Sequence, residues 1–339
     1  MRKPDFERNT LRILQKQRSE RPVLFELFLS NGYYERLAER KMIPNDPLDE
    51  MRVAIRAMAN AGYDYATVSA SSFDFAHPEF EQKHSISLNH PAAIYDWESF
   101  ERYEWRDPQS YDLSRLEKIA PDLPEGMKLL VWAPGGVLES LIMLVGYENL
   151  CMMLYDDPDL VKAVTDEIGT ALIRYYEPAI QADTVGFISY NDDWGFNSQT
   201  LISPGDLRKY VFPWAKRIVE MCHAYNKPCI LHSCGYFNDI IEDIIEDMKF
   251  DGRHSYEDKI CPVEKAYRQY SGRIAVMGGI DMDFMTRGTP EDIYRRAKNL
   301  LLQTEARGGY MLGTGNSVPD SVPFENFCAM TRAALEDYH

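Results

Sequence analysis

The stretch Cys229-Ile230-Leu231-His232-Ser233-Cys234-Gly235 sets the reading of the whole chain. A short apolar run carries straight into His232 and Cys234, and Gly235 then turns the chain into a helical pattern. That is the profile of a buried strand emptying into a strand-to-helix turn. Side chains alternate faces along a strand, so His232 and Cys234 point the same way. An imidazole and a thiol on one face can bind a borderline cation, typically zinc. Taken alone, the pair fits a packed cysteine beside a hydrogen-bonded core histidine at least as well, because two ligands do not make a site.

The same strand-then-turn profile recurs along the chain. Before it come Val23–Leu29, Tyr65–Val68, Leu129–Trp132 and Gly186–Tyr190; after it come the weaker Asp251–Ser255, Ile274–Met277 and Gly309–Leu312. Helical patterns lie between them. Asp46-Pro47 opens one that runs to Gly62, with Asp46 as cap and proline in the first turn. Residues 138–181 read as helical throughout. Ser203-Pro204 with Asp206 opens another helix, which Pro213 should kink. Phe237–Met248, a helix opened by Thr289-Pro290 and a last one from about Pro323 complete the pattern. Eight strands alternating with helices predict a parallel sheet with right-handed crossovers, and eight is the number that closes a (β/α)8 TIM barrel. An open doubly wound sheet would want a glycine-rich phosphate turn after its first strand, and Ser30-Asn31-Gly32-Tyr33 is not one. The expectation is a single α/β barrel domain over residues 1–339. It carries an N-terminal helical extension (1–20) and a long insertion after strand 2 (73–126) that could act as a lid.

Composition narrows the function. A chain of 339 residues with 45% hydrophobic and 12% aromatic residues can bury a large core. No run is apolar enough to span a bilayer. The charged start Met1-Arg2-Lys3-Pro4-Asp5 lacks a signal-peptide core. The six cysteines show no paired framework, which points to reduced thiols in a cytoplasm. A net charge of −16 argues against nucleic acid or an acidic membrane surface as partner. A homodimer is compatible with all of this.

In such barrels the chemistry collects where strands end. Those ends supply Asn31, the run Ser69–Ser72, Trp132, Asn191, Asp192, Asp193, His232, Cys234, His254, Glu257, Asp258, Asp281 and Asn316. His232 and Cys234 are the candidate metal ligands. His254, Glu257 and Asp281 are candidate catalytic residues, for proton handling, substrate hydrogen bonding or a missing ligand. Asn31, Asp192, Asp193, Trp194 and Asn316 are candidate substrate contacts. Each has a plainer reading: Asp192 and Asp193 as turn formers, His254 as a structural histidine, Asp281 as a helix cap. Gly278-Gly279 and Gly313-Thr314-Gly315 could cradle phosphate, but no lysine stands beside either.

A succession of motifs then resembles the uroporphyrinogen decarboxylase superfamily, which includes zinc- and corrinoid-dependent methyltransferases. The motifs are Gly146-Tyr147-Glu148, Tyr155-Asp156-Asp157-Pro158, Asp192-Asp193-Trp194-Gly195 and Ile202-Ser203-Pro204 with Phe212-Pro213. They continue with His232-Ser233-Cys234-Gly235, Gly278-Gly279-Ile280-Asp281 and Val322-Pro323 with Glu325-Asn326. The resemblance implies a (β/α)8 barrel. The decarboxylase branch uses an arginine-rich N-terminal motif and an aspartate after the second strand. The matching places here read Phe25-Glu26-Leu27-Phe28 and Val68-Ser69-Ala70-Ser71, and an acidic mouth would repel a porphyrinogen with eight carboxylates. The methyltransferase branch is the better match. Its zinc is held by His-x-Cys, matched by His232 and Cys234, and in the coenzyme M branch by a second cysteine after the last strand. Asn316 stands there instead, so a carboxylate or His254 would have to complete the shell, or no metal binds.

The resemblance thus implies methyl transfer between a small methylated donor or acceptor and a corrinoid carried on a separate protein, with zinc as Lewis acid. A metal lacking the second sulfur would be more electrophilic, which favours an O-methyl substrate. Two alternatives stay open: a metal-free lyase acting on a small carboxylated substrate, and a non-catalytic small-molecule-binding barrel.

Overall fold

The computed structural model describes residues 2–75 and 92–336. Its centre is a seven-stranded, all-parallel sheet whose strands lie side by side in chain order. They are β1 (Tyr65–Ser69), β2 (Lys128–Trp132), β3 (Val185–Asn191), β4 (Cys229–His232), β5 (Gly252–His254), β6 (Ala275–Met277) and β7 (Tyr310–Met311). A parallel sheet is covered on both faces, which is why most of these segments read as apolar runs, β5 with its Gly252-Arg253-His254 being the exception.

The eighth segment, Val23–Leu29, is not a regular strand. It lies along the far edge of β7 through parallel bridges Leu24 to Leu312 and Leu29 to Val318. Toward β1 it has a side-chain link: the Tyr65 hydroxyl accepts from Glu26 N–H (2.8 Å) and donates to Glu26 O (2.7 Å).

Local chemistry explains most of the helices. Asp46 accepts from the amides of Leu48 and Asp49 and starts Pro47–Asn60. The run expected over 138–181 is three helices: Val137–Val145, Tyr147–Asp156 and Pro158–Gln181. Gly146, at φ +77°, makes the first break, a conformation other residues resist. Asp157 makes the second by capping Leu160 N ahead of Pro158. Pro213 has no N–H to give the preceding turn, and the hydrogen bonds there widen to a π-turn over Leu207–Val211 before Phe212–Ala224 continues. Two short helices were not expected from the sequence, Asn31–Ala38 and Val263–Tyr270, while Met282–Arg287 follows the plainer reading of Asp281 as a helix cap.

At the N-terminus the helical part of residues 1–20 is confined to Glu7–Leu11 and Arg12–Leu14. The insertion expected over 73–126 falls partly outside the described residues. Its described part holds the short helices Trp97–Arg102 and Arg115–Lys118 and two 3₁₀ turns. Among the described residues no single helix is long and apolar enough to cross a membrane.

Candidate metal centre

Register across the sheet places the candidate residues. Asn191 on β3 lies opposite His232 on β4, which lies opposite His254 on β5. Past β3 the chain reaches Asp193, and past β4 it reaches Cys234. One ligand atom each from Asp193, His232 and Cys234 lies within 4.8 Å of the others. Ligand atoms of a tetrahedral zinc sit about 3–4 Å apart, so small side-chain adjustments close the set. His232 Nε2 is already 3.7 Å from Cys234 Sγ. Asp193 Oδ1 accepts from Cys234 N–H at 2.7 Å, which fixes the carboxylate. The third residue of this cluster is a carboxylate that sequence reading had placed among the substrate contacts.

His254 is fully buried and does not join them as a ligand. Its Nε2 lies 3.0 Å from Thr314 O, and its Nδ1 lies 2.8 Å from His232 Nδ1. A carbonyl only accepts, so Nε2 of His254 carries the proton and, in the neutral ring, Nδ1 is the acceptor. His232 must then donate from Nδ1, leaving its Nε2 lone pair free beside Cys234. Burial keeps both rings neutral: it pulls His232 down to about 3, with Arg253 adding, and His254 well below the ordinary range. With both nitrogens spent, His254 positions His232 and does not reach substrate.

Behind Thr314 stands Glu26, also fully buried. Thr314 N–H donates to Glu26 Oε1 at 2.9 Å, and the Thr314 hydroxyl meets Oε2 at 2.5 Å. Burial pushes the Glu26 carboxyl up to about 8. A continuous hydrogen-bonded path thus runs from Glu26 through Thr314 and His254 to His232.

The remaining candidates divide by what holds them. Asn316 Nδ2 donates to Cys234 Sγ at 3.2 Å, while its Oδ1 accepts from Ser317 N–H. The amide at the place of a second sulfur therefore solvates the sulfur already present. Burial, and then Asp193, push the Cys234 thiol up. Glu257 accepts from Gly235 N–H at 3.4 Å, beside the same turn. Asp281 caps Met282–Arg287 and accepts from Asp258 N–H, so its carboxylate is committed to structure. Asp192 is fully buried, accepts from the amides of Leu138 and Glu139, and is pushed up to about 6 by burial. Trp194 is fully buried against Phe212 and Tyr190. Neither Asp192 nor Trp194 presents a face to a ligand. Asn31 borders a cavity of about 350 Å³ that Trp132 also lines.

The glycine pairs are spacers. A Cβ on Gly278 (φ +70°) would come within 2.2 Å of Thr314 O and 2.7 Å of His254 Cδ2. At Gly279, Gly313 and Gly315 a Cβ would run into Val263, Phe25 O and Tyr256 O instead.

Sequence reading missed Glu139 and Glu26. Glu139 follows the Pro134-Gly135-Gly136 turn after β2, and burial with Asp193 and Asp192 raises its carboxyl well above the usual range. Extending the strand-end survey by three residues would have found it. Glu26 gives no such signal, because it lies within an apolar run.

Several known proteins share this chain's pattern. It is 28% identical over 194 residues to the methylated-thiol–coenzyme M methyltransferase of Methanosarcina mazei, covering 57% of this chain and 49% of that one. It is 27% identical over 181 residues to the uroporphyrinogen decarboxylase of Citrifermentans bemidjiense (53% and 50% covered). It is 25% identical over 224 residues to the methylcobamide:CoM methyltransferase MtaA of Methanosarcina barkeri (66% and 61%). The matches thus span about half to three-fifths of these relatives. A solved methyltransferase from Methanosarcina mazei superimposes with a TM-score of 0.73 over 98% of both chains at 18% identity, which speaks to the fold. The uroporphyrinogen decarboxylase (URO-D) family model matches residues 81–336, a span holding Asp193, His232, Cys234 and Asn316, and the chain belongs to that family.

Proposed function

We propose that this chain moves a methyl group between a small methylated compound and a corrinoid carried by a partner protein, with zinc held by Asp193, His232 and Cys234. The convergence of these three donors carries the reading. It is supported by the two methyl-transferring relatives, one of which acts on a methylcobamide by name. In keeping with this, Val23–Leu29 would act as the eighth stave of a closed (β/α)8 barrel, held by its bridges to Leu312 and Val318.

The donor set fits zinc: one imidazole nitrogen, one sulfur and one carboxylate, with a fourth position left for substrate. Zinc bound there would supply Lewis acidity to the heteroatom that carries the methyl group. The residues do the rest. His254 holds His232 in the tautomer that offers Nε2. The thiol of Cys234, kept protonated by burial, would have to release its proton to solvent to hold the cation as a thiolate. Asn316 draws on the sulfur's charge through its N–H, leaving the cation more electrophilic than a second thiolate would. That balance favours an oxygen-bound methyl group over a sulfur-bound one. Glu26 in place of an arginine, and the Asp193 carboxylate at the site, argue against a porphyrinogen as substrate.

The test is metal analysis of protein purified without chelator, together with methylation of cob(I)alamin from methoxy, methylthio and methylamino compounds. Near-stoichiometric zinc, lost with turnover in Cys234→Ser and highest turnover with a methoxy compound, is the expected result. Turnover in a zinc-free parent would overturn the metal's role. Zinc without turnover of any methyl compound would overturn the reaction.

A further inference from the structure

We propose that the cavity bordered by Asn31 and Trp132 holds the substrate, and that the substrate is a small monocarboxylate with a flat apolar body whose carboxylate sits on Arg115. The proposal rests on the methyl-transfer reading and adds the substrate's chemical class.

The cavity, about 350 Å³, is walled by Phe28, Tyr34, Met42, Met51 and Trp132, with Arg115 among its lining residues. Its size falls in the range of small-molecule sites, and its walls suit a flat apolar body. Phe28 and Trp132 meet edge to face with centroids 4.7 Å apart. Arg115 is the anomaly. It is only 8% exposed, yet it forms no ion pair among the described residues. Two of its five N–H donors are used, by Ala70 O (2.7 Å) and Ser69 Oγ (3.0 Å). The other donors have no partner among the described residues. Asp112 and Glu50 lie within its field, and Glu50 lines the same cavity, but both are exposed and neither forms an ion pair with it; Asp112 is engaged by Ser114 and Lys118. A buried guanidinium without a counter-ion is costly, and a bidentate carboxylate is the ligand its fork fits.

One backbone link joins the cavity to the metal centre. Val318 N–H donates to Phe28 O, and Ser30 N–H donates to Val318 O. Two residues before Val318 stands Asn316, with its amide on Cys234 Sγ. Charge sets the ligand's direction. Arg115, on the β1 side, is the cavity's cation without an ion-pair partner among the described residues, so the anionic head is drawn there. The neutral methyl-bearing end is left to face the metal.

The experiment is calorimetric titration of the full-length protein with 4-methoxybenzoate and with its uncharged counterpart, 4-methoxybenzyl alcohol. Zinc content and melting temperature are recorded for every sample. The parent should bind the carboxylate at least about tenfold more tightly than the alcohol, the gain expected of charge-assisted hydrogen bonds. Arg115→Met should bring the carboxylate down to the alcohol's affinity, and Arg115→Lys should recover part of the preference. Because the parent's own preference is a readout, the idea stays testable if Arg115→Met fails to fold. Equal binding of the two ligands, no binding of either, or a preference that survives in folded Arg115→Met would overturn it. A carboxylate preference without methyl transfer would support the cavity's role while sinking the reaction.

Discussion

His232 and His254 face each other across neighbouring strands with their Nδ1 atoms 2.8 Å apart, and only one proton fits between them. Because Thr314 O takes the Nε2 proton of His254, that shared proton belongs to His232. The outward nitrogen of His232 is thereby a lone pair before any cation arrives.

His254→Ala should therefore lower zinc affinity about 10- to 100-fold while leaving the three ligands in place, the usual cost of losing such an orienting partner. Competition against a chromogenic chelator would measure it. An unchanged affinity would show that the histidine pair is packing alone.

Asn316 lies within hydrogen-bond reach of Cys234 Sγ, so a sulfur at that position would approach the same cation. Asn316→Cys should slow zinc release to a chelator at least about tenfold, since a thiolate is a far better zinc ligand than an amide. It should also shift turnover from oxygen-bound toward sulfur-bound methyl groups, because added thiolate charge softens the metal. Faster zinc loss in a variant that still folds would contradict this arrangement.

The parallel sheet and most of its strand ends were legible because a buried strand leaves a short apolar run closed by a turn. Val23–Leu29 has that run as well, yet it forms isolated bridges, since ladder formation depends on neighbours that one sequence does not reveal. The pairing of His232 with Cys234 followed from strand alternation. The place of Asp193 beside them did not, because adjacent aspartates after a strand look alike, and only the fold shows which one lies beside His232 and Cys234. Arg115 was silent for a similar reason: its burial is decided by β1, some forty-five residues before it.

Glu26 yields a pH prediction. Its folded carboxyl titrates at about 8, against an ordinary value of 4.5, so the native state holds a proton that the unfolded chain has released between those limits. Its contribution to stability is fully present below about pH 4.5 and is lost as pH rises toward 8, at up to about 1.4 kcal/mol per pH unit. Glu26→Gln, which keeps the shape without the titration, should flatten that part of the profile. Denaturant titrations at pH 5, 6, 7 and 8 on both proteins decide it, and parallel profiles would mean that Glu26 is charged in the fold.

Asp192 and Asp193 are neighbours whose replacement should fail in opposite ways. Asp192 accepts from the amides of Leu138 and Glu139 at 3.1 and 2.9 Å and from the Tyr190 hydroxyl, holding the start of Val137–Val145 against β3. Asp192→Ala strands those buried donors, at about 1–3 kcal/mol for each one left unsatisfied. The melting temperature should fall by several degrees, at about 2–4 °C per kcal/mol for a chain of this size. Zinc stoichiometry in the folded fraction should hold. Asp193→Ala removes a carboxylate whose partner is Cys234 N–H and which crowds Glu139. Relieving that like-charge contact should leave the metal-free protein nearly as stable as the parent, while zinc affinity falls at least about tenfold, as expected for a lost ligand. Scanning calorimetry beside metal analysis on both variants separates the two roles. A pair of variants that lose stability and zinc in step would show that the two carboxylates act as one unit.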